Sequence, residues 1–180
     1  IEESSRQAVA ELARMLALLR RDDEAGGTDP QPTLARIDAL AEQMRDAGLA
    51  VTTDVSGTTA GLPAGVELSA YRIVQEALTN SLKHAGPGTA AAVRVIRRAG
   101  SLEVVVTDEG RARDGTGTLG NNGNSDGNGN GLGLVGMRER VALHGGELRT
   151  GRHAGGGFEV RAWLPLGRPA RDGAPDGGTT

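Results

Sequence analysis

The chain has 180 residues, a formal net charge of −3 and 37% hydrophobic residues, of which only 2% of the chain is aromatic. Its core must therefore be built from Leu, Val, Ile and Ala. A mildly acidic balance gives no field to draw the chain to nucleic acid or a lipid surface. The absence of cysteine excludes disulfides and thiolate metal sites.

In chain order, residues 1–21 read as a helix, with Ile1, Val9, Leu12, Leu16 and Leu19 near helical spacing. An apolar stripe of this kind packs on another helix. Residues 22–32, with Gly26-Gly27 and Pro30, read as a linker. A second helix is expected from Thr33 to Ala47, stopped by Gly48. A strand follows over Leu49–Val55, then a loop. A third helix is expected over Glu67–Ala85, ended by Gly86-Pro87-Gly88. Ala91–Arg97 and Leu102–Thr107, joined at Ala99-Gly100, read as a hairpin. Residues 108–129 are nearly all small or polar, a composition that cannot bury apolar area. Leu132–His144 reads as a glycine-opened helix closed by Gly145-Gly146. Two last strands are expected near Glu147–Arg152 and Phe158–Leu164. Residues 167–180 form a Gly/Pro/Asp tail without periodicity. Helices mixed with two antiparallel-looking strand pairs imply an α+β fold, a two-layer α/β sandwich with helices on one sheet face.

No apolar run approaches the roughly 20 residues that span a bilayer. No signal peptide is visible, and the absence of an initial Met suggests an excised fragment, which leaves an upstream membrane anchor open.

Three constellations carry chemistry. Glu76 and Asn80 are four residues apart, so they share a helical face, and Lys83 lies beside them one turn on. A carboxylate, an amide oxygen and an ammonium could seat a magnesium–phosphate group, because Mg²⁺ prefers oxygen ligands and keeps several waters. Asp108, at the end of an apolar strand, could accept a hydrogen bond from an exocyclic amine, and Gly110 allows close backbone approach. The run Gly129-Asn130-Gly131-Leu132-Gly133-Leu134 leads into a helix whose first amides could cradle phosphate. Each element alone has an ordinary structural explanation: an exposed helix face, an Asp-Gly turn, a flexible glycine loop.

Their order is more specific. It resembles the Bergerat-type ATP-binding fold of sensor histidine kinases, gyrase B, Hsp90 and MutL. Gln75-Glu76-Ala77-Leu78-Thr79-Asn80 and Gly133-Leu134-Val135-Gly136-Met137-Arg138-Glu139-Arg140 are similar in wording to the N-box and G2 box of histidine kinases that pair with LuxR/NarL-type response regulators. Residues 1–20 resemble the second dimerisation helix of that family, and the likeness runs to about residue 166.

The resemblance implies a division into a partial dimerisation region (1–21), a linker (22–32), an ATP-binding catalytic domain (33–166) and a tail (167–180). It implies ATP and Mg²⁺ as ligands, with Glu76 as the base or polarising partner of an attacking histidine and Asn80 on the metal. Lys83 would contact phosphate and Asp108 would read adenine. Gly110 and the turn Gly131-Leu132-Gly133-Leu134 would shape the nucleotide pocket, with residues 111–129 as its lid. His84 would border the phosphates or favour the helix C-terminus as a cation. Glu109 replaces the family's usual asparagine. A homodimer in the full-length protein, a response regulator partner and a cytoplasmic location are also implied, without nucleic-acid or membrane contact by this stretch.

The three histidines, His84, His144 and His153, all lack the sequence context of a phosphoacceptor. The acceptor is therefore expected upstream of Ile1, with no autophosphorylation in cis. Two alternatives stay open: an ATPase of the same fold in which Glu76 activates water, and a nucleotide-gated binding module.

Overall fold

The first core segment follows directly from its apolar spacing. Leu34 begins a short 3₁₀ turn, Leu34–Arg36, that passes into helix α1, Ile37–Asp46, and Ile37, Leu40, Ala41 and Met44 bury one stripe. Gly48 ends α1 as expected. Its φ of 95° lets Leu49 N donate back to Met44 O at 2.9 Å. In the computed structural model the described residues are 31–84, 88–110, 131–153 and 156–167. The expected helix over 1–21, nearly all of the linker, the lid over 111–129 and all but the first residue of the tail lie outside them.

Five strands follow: β1 (Ala50–Ser56), β2 (Ala90–Arg97), β3 (Ser101–Asp108), β4 (Glu147–Arg152) and β5 (Phe158–Pro165). They form one sheet in the order β1-β2-β3-β5-β4. The β2/β3, β3/β5 and β4/β5 pairs are antiparallel, whereas β1 joins β2 in parallel. That parallel pair was not foreseen. It arises because helix α2, Ala64–His84, carries the chain from the end of β1 back to the start of β2.

Alternation along the strands sorts the two faces. Val93, Val95, Leu102, Val104, Val106, Val160, Ala162 and Leu164 are buried beneath α2 and α3, Gly131–Ala142. Helix α2 supplies Ile73, Val74, Ala77 and Leu78, all shut from solvent, and α3 adds Met137 and Val141. The helices thus cover a single face, and the expected α+β two-layer sandwich is the observed architecture. The opposite face carries polar residues, among them Glu103. Its position on the central strand β3 leaves it only 4% exposed, and Arg98 and Arg161 approach it at 2.8 and 3.0 Å.

Helices α2 and α3 run side by side in opposite directions. Glu76 of α2 lies against Gly133 at the start of α3, while Ser69, two turns earlier on α2, reaches His144 just past the end of α3 (Oγ···Nε2 2.8 Å). Ser69→Ala removes that link from a nearly closed site. It is expected to cost about 1 kcal/mol of unfolding free energy, read by urea denaturation.

Among the described residues, no helix is long and apolar enough to cross a membrane.

Candidate nucleotide site

Asp108 is the last residue of β3, and strand alternation turns it toward α2 together with Val104 and Val106. Its carboxylate is 7% exposed and takes three hydrogen bonds. Oδ1 accepts from Gly110 N at 3.0 Å and Phe158 N at 3.2 Å, and Oδ2 accepts from Ser81 Oγ at 2.8 Å. A carboxylate offers about four lone-pair directions, so the donors among the described residues leave one direction at Oδ2. Ser81 sits on α2 one residue after Asn80, and its hydroxyl also lies 3.1 Å from Ala77 O. The strand-end acid is thereby fixed to the helix that carries Glu76 and Asn80.

Glycine makes two of the close approaches possible. A Cβ at Gly133 would overlap the Glu76 carboxylate, so the N-terminal turn of α3 rests on that acid. A Cβ at Gly157 would overlap the Asp108 carbonyl oxygen, so β5 reaches β3 only because residue 157 is glycine.

The structure therefore brings together Glu76 with Gly133, and Asp108 with Gly110 and α2. Asn80 is half-buried one turn from Glu76 on α2. Lys83 and His84 are exposed at the C-terminal end of that helix, which favours cations. Gly131 and Leu132 open α3; Leu134 is half-buried and packs against the core. Glu109 is exposed, and its backbone N–H is spent on Ala90 O at 2.9 Å.

Sequence reasoning missed Ser81, Gly157 and the Phe158 amide. The run Gly155-Gly156-Gly157 before an apolar strand was the available signal for the last two. A groove of about 350 Å³ on the helix-free sheet face, lined by Thr52, Asp54, Arg94, Thr107, His153 and Arg161 among others, contains none of the predicted site residues.

The half-buried Asn80 amide is the oxygen donor that α2 could offer a magnesium ion. Among the described residues no three His, Cys, Asp or Glu side chains gather to form a protein cage. An ion here would rest on the Asn80 amide oxygen, phosphate oxygens and water, as magnesium commonly does.

Comparison with known proteins follows the same lines. The Bacillus subtilis (strain 168) protein named sensor histidine kinase YxjM is 33% identical over 145 residues, which is 79% of this chain and 32% of that protein. The Brevibacillus brevis protein named signal transduction histidine-protein kinase/phosphatase DegS is 31% identical over 163 residues, covering 89% of this chain and 38% of that protein. The chain thus spans about a third of the length of the curated relatives it matches. Among solved structures, the blue-light activated histidine kinase EL346 of Erythrobacter litoralis superimposes with a TM-score of 0.57 at 26% identity, over 75% of this chain and 42% of that one. The mycobacterial sensor histidine kinase MprB gives 0.52 at 24% identity, over 73% of this chain and 93% of that one, a likeness of fold. Residues 65–168, more than half the chain, match the family described as histidine kinase-, DNA gyrase B- and HSP90-like ATPases, and the chain belongs to that family.

Proposed function

We propose that this chain is the ATP-binding catalytic part of a two-component sensor histidine kinase, donating the γ-phosphoryl group to a histidine outside the chain. The observation that carries the reading is the convergence at α2: Glu76 meets the glycine start of α3, and Asp108 is tied to the same helix through Ser81. Family membership and sensor-kinase relatives support it.

In this reading the remaining Oδ2 direction of Asp108 accepts the adenine amine, and Gly110 admits the ring. The first amides of α3, at Gly131-Leu132-Gly133-Leu134, cradle phosphate oxygens. Lys83 supplies a positive point charge near the phosphates, with His84 at their border. Asn80 holds the magnesium ion, which neutralises phosphate charge when bound. Glu76 accepts the proton of the incoming imidazole. As the imidazole nitrogen bonds to the γ-phosphorus, the bond to the β–γ bridging oxygen breaks and ADP leaves. The transition state is loose, so positioning and charge neutralisation supply most of the rate.

Residues 33–166 form the catalytic domain in this assignment, and 1–21 one dimerisation helix of a homodimer. The partner is a response regulator of the LuxR/NarL type. The wording of Gln75–Asn80 and Gly133–Arg140, together with a relative named DegS, supports that choice.

A melting titration tests the core of the reading. A ligand that binds only the native state raises the melting temperature, by about 2.7 kcal/mol of stability at a hundred times its dissociation constant. ADP with magnesium is expected to raise it, and Asn80→Ala to abolish the magnesium-dependent part of the rise. A magnesium-dependent rise that survives Asn80→Ala removes the metal assignment. Supplying the upstream acceptor helix in trans should yield phosphohistidine. Phosphate release without phosphohistidine would identify a water-activating ATPase instead.

A further inference from the structure

The first turn of the described chain is tied to the helix that bears Glu76 and Asn80. Thr33 is extended (φ −111°, ψ 169°), and its hydroxyl makes no cap to the 3₁₀ turn Leu34–Arg36. The first amides of such a turn have no partner within it. Leu34 is only 3% exposed, so its N–H needs an acceptor other than bulk water. Glu67, 33 positions away in the first turn of α2, supplies one: Leu34 N donates to Glu67 Oε1 at 3.0 Å. A carboxylate suits this place, because it serves the positive ends of two helical segments at once. Tyr71, one turn further along α2, also faces the 3₁₀ turn. Burial raises its hydroxyl above the ordinary phenol value, and the nearby Arg36 charge acts against that rise.

Further along, α2 is held by its own neighbours. Ser69 Oγ lies 2.8 Å from His144 Nε2, and Ser81 Oγ donates to Asp108 Oδ2 at 2.8 Å. The helix is therefore a strut, with the entering chain fastened at one end and the candidate nucleotide residues along the rest. From Glu67 to Glu76 the strut is about 14 Å long, at the ordinary helical rise. The entering chain cannot swing against α2 without breaking the Leu34–Glu67 bond. We propose that Glu67 is a positioning residue: by holding the Leu34 amide it fixes the direction in which the chain enters the catalytic domain, and so sets how an acceptor histidine carried upstream approaches Glu76. The part played in transfer rests on the kinase reading; the clamp itself does not.

The test first reads the clamp in the whole chain. The chain has no cysteine, so nitroxides can be placed singly on Gln31→Cys and Arg94→Cys, both exposed positions. Double electron–electron resonance should give one narrow distance distribution, and hydrogen exchange should find the Leu34 amide protected. Glu67→Met removes the acceptor with little change of size. It should broaden the distribution and speed Leu34 exchange by about tenfold, the scale of one lost hydrogen bond. Glu67→Gln keeps an amide oxygen and should restore both. The ADP-induced rise in melting temperature should persist in both variants, which shows that they are folded. In the longer protein that carries the acceptor histidine, Glu67→Met should lower kcat for phosphohistidine formation by about tenfold, with KM for ATP unchanged. Glu67→Gln should restore that rate, and transfer to an acceptor helix supplied in trans should not change. An unprotected Leu34 amide in the unmodified chain, or unaltered distances and exchange in Glu67→Met, overturns the clamp. An unaltered cis rate, an equal loss in cis and in trans, or a loss that Glu67→Gln does not repair overturns the positioning role. Absence of phosphohistidine from the unmodified longer protein would instead count against the kinase reading, while exchange and distances still decide the clamp.

Discussion

Asp108→Asn is expected to leave the domain folded while lowering ADP affinity by about a hundredfold, whereas Asp108→Ala should also lower stability by about 3 kcal/mol. The difference follows from the three partners of the carboxylate. An asparagine oxygen in the Oδ1 position still accepts from Gly110 N and Phe158 N, while its amide can donate to Ser81 Oγ, whose hydrogen then turns to Ala77 O. Every buried polar group keeps a partner. Toward the nucleotide, however, an acceptor has become a donor, and it would face the donating amine of adenine. Alanine instead strands two backbone N–H groups in a site that is almost closed, and each such orphan costs about 1–3 kcal/mol. Calorimetric ADP titration and urea denaturation separate the two effects. Equal destabilisation by both variants would reduce Asp108 to a structural residue, and undiminished ADP binding by Asp108→Asn would remove its adenine role.

Gly157→Ala should be among the most damaging single-methyl additions in the chain. The added carbon would occupy the space of the Asp108 carbonyl oxygen. That oxygen belongs to backbone at the end of β3, a strand held by β2 on one side and β5 on the other, so it cannot swing aside as a side chain could. Relief requires β5 to draw back, which breaks the Phe158 N–H contact to Asp108. A loss of about 3 kcal/mol is expected, at the upper end for overpacking, accompanied by loss of ADP binding.

Gly133→Ala provides the contrast. Its methyl meets the Glu76 carboxylate, the far end of a side chain that can rotate away. Stability should fall by only about 1 kcal/mol, and combining it with Glu76→Ala should recover much of that, as a double-mutant cycle would show. If Gly157→Ala proves as mild as Gly133→Ala, the approach of β5 to β3 is looser than the geometry implies.

Much of this protein could be read from its residues in order. Apolar spacing marked α1, α2 and α3 and every strand to within a few positions, because burial on one helical or strand face imposes a period that survives in any sequence. Gly48 and Gly145-Gly146 marked helix ends because a left-handed residue there is most cheaply a glycine. The motif residues Glu76, Asn80, Asp108 and Gly133 were likewise visible as chemistry-bearing types at suggestive spacings.

Partnerships across long sequence separations were not visible. Ser81 looks like any helical serine until Asp108, 27 positions away, is folded onto it. Gly157 looks like one more loop glycine until β5 is laid against β3. The parallel pairing of β1 with β2 depends on where α2 returns the chain, and the meeting of Ser69 with His144 depends on two helices running in opposite senses. Local periodicity and turn chemistry are properties of neighbouring residues, so the sequence by itself determined the elements and their buried faces. Which carboxylate meets which hydroxyl, and which glycine must stay bare, was decided only when the sheet and helices closed on each other, because close packing leaves no room for a methyl and no tolerance for an unpaired buried charge.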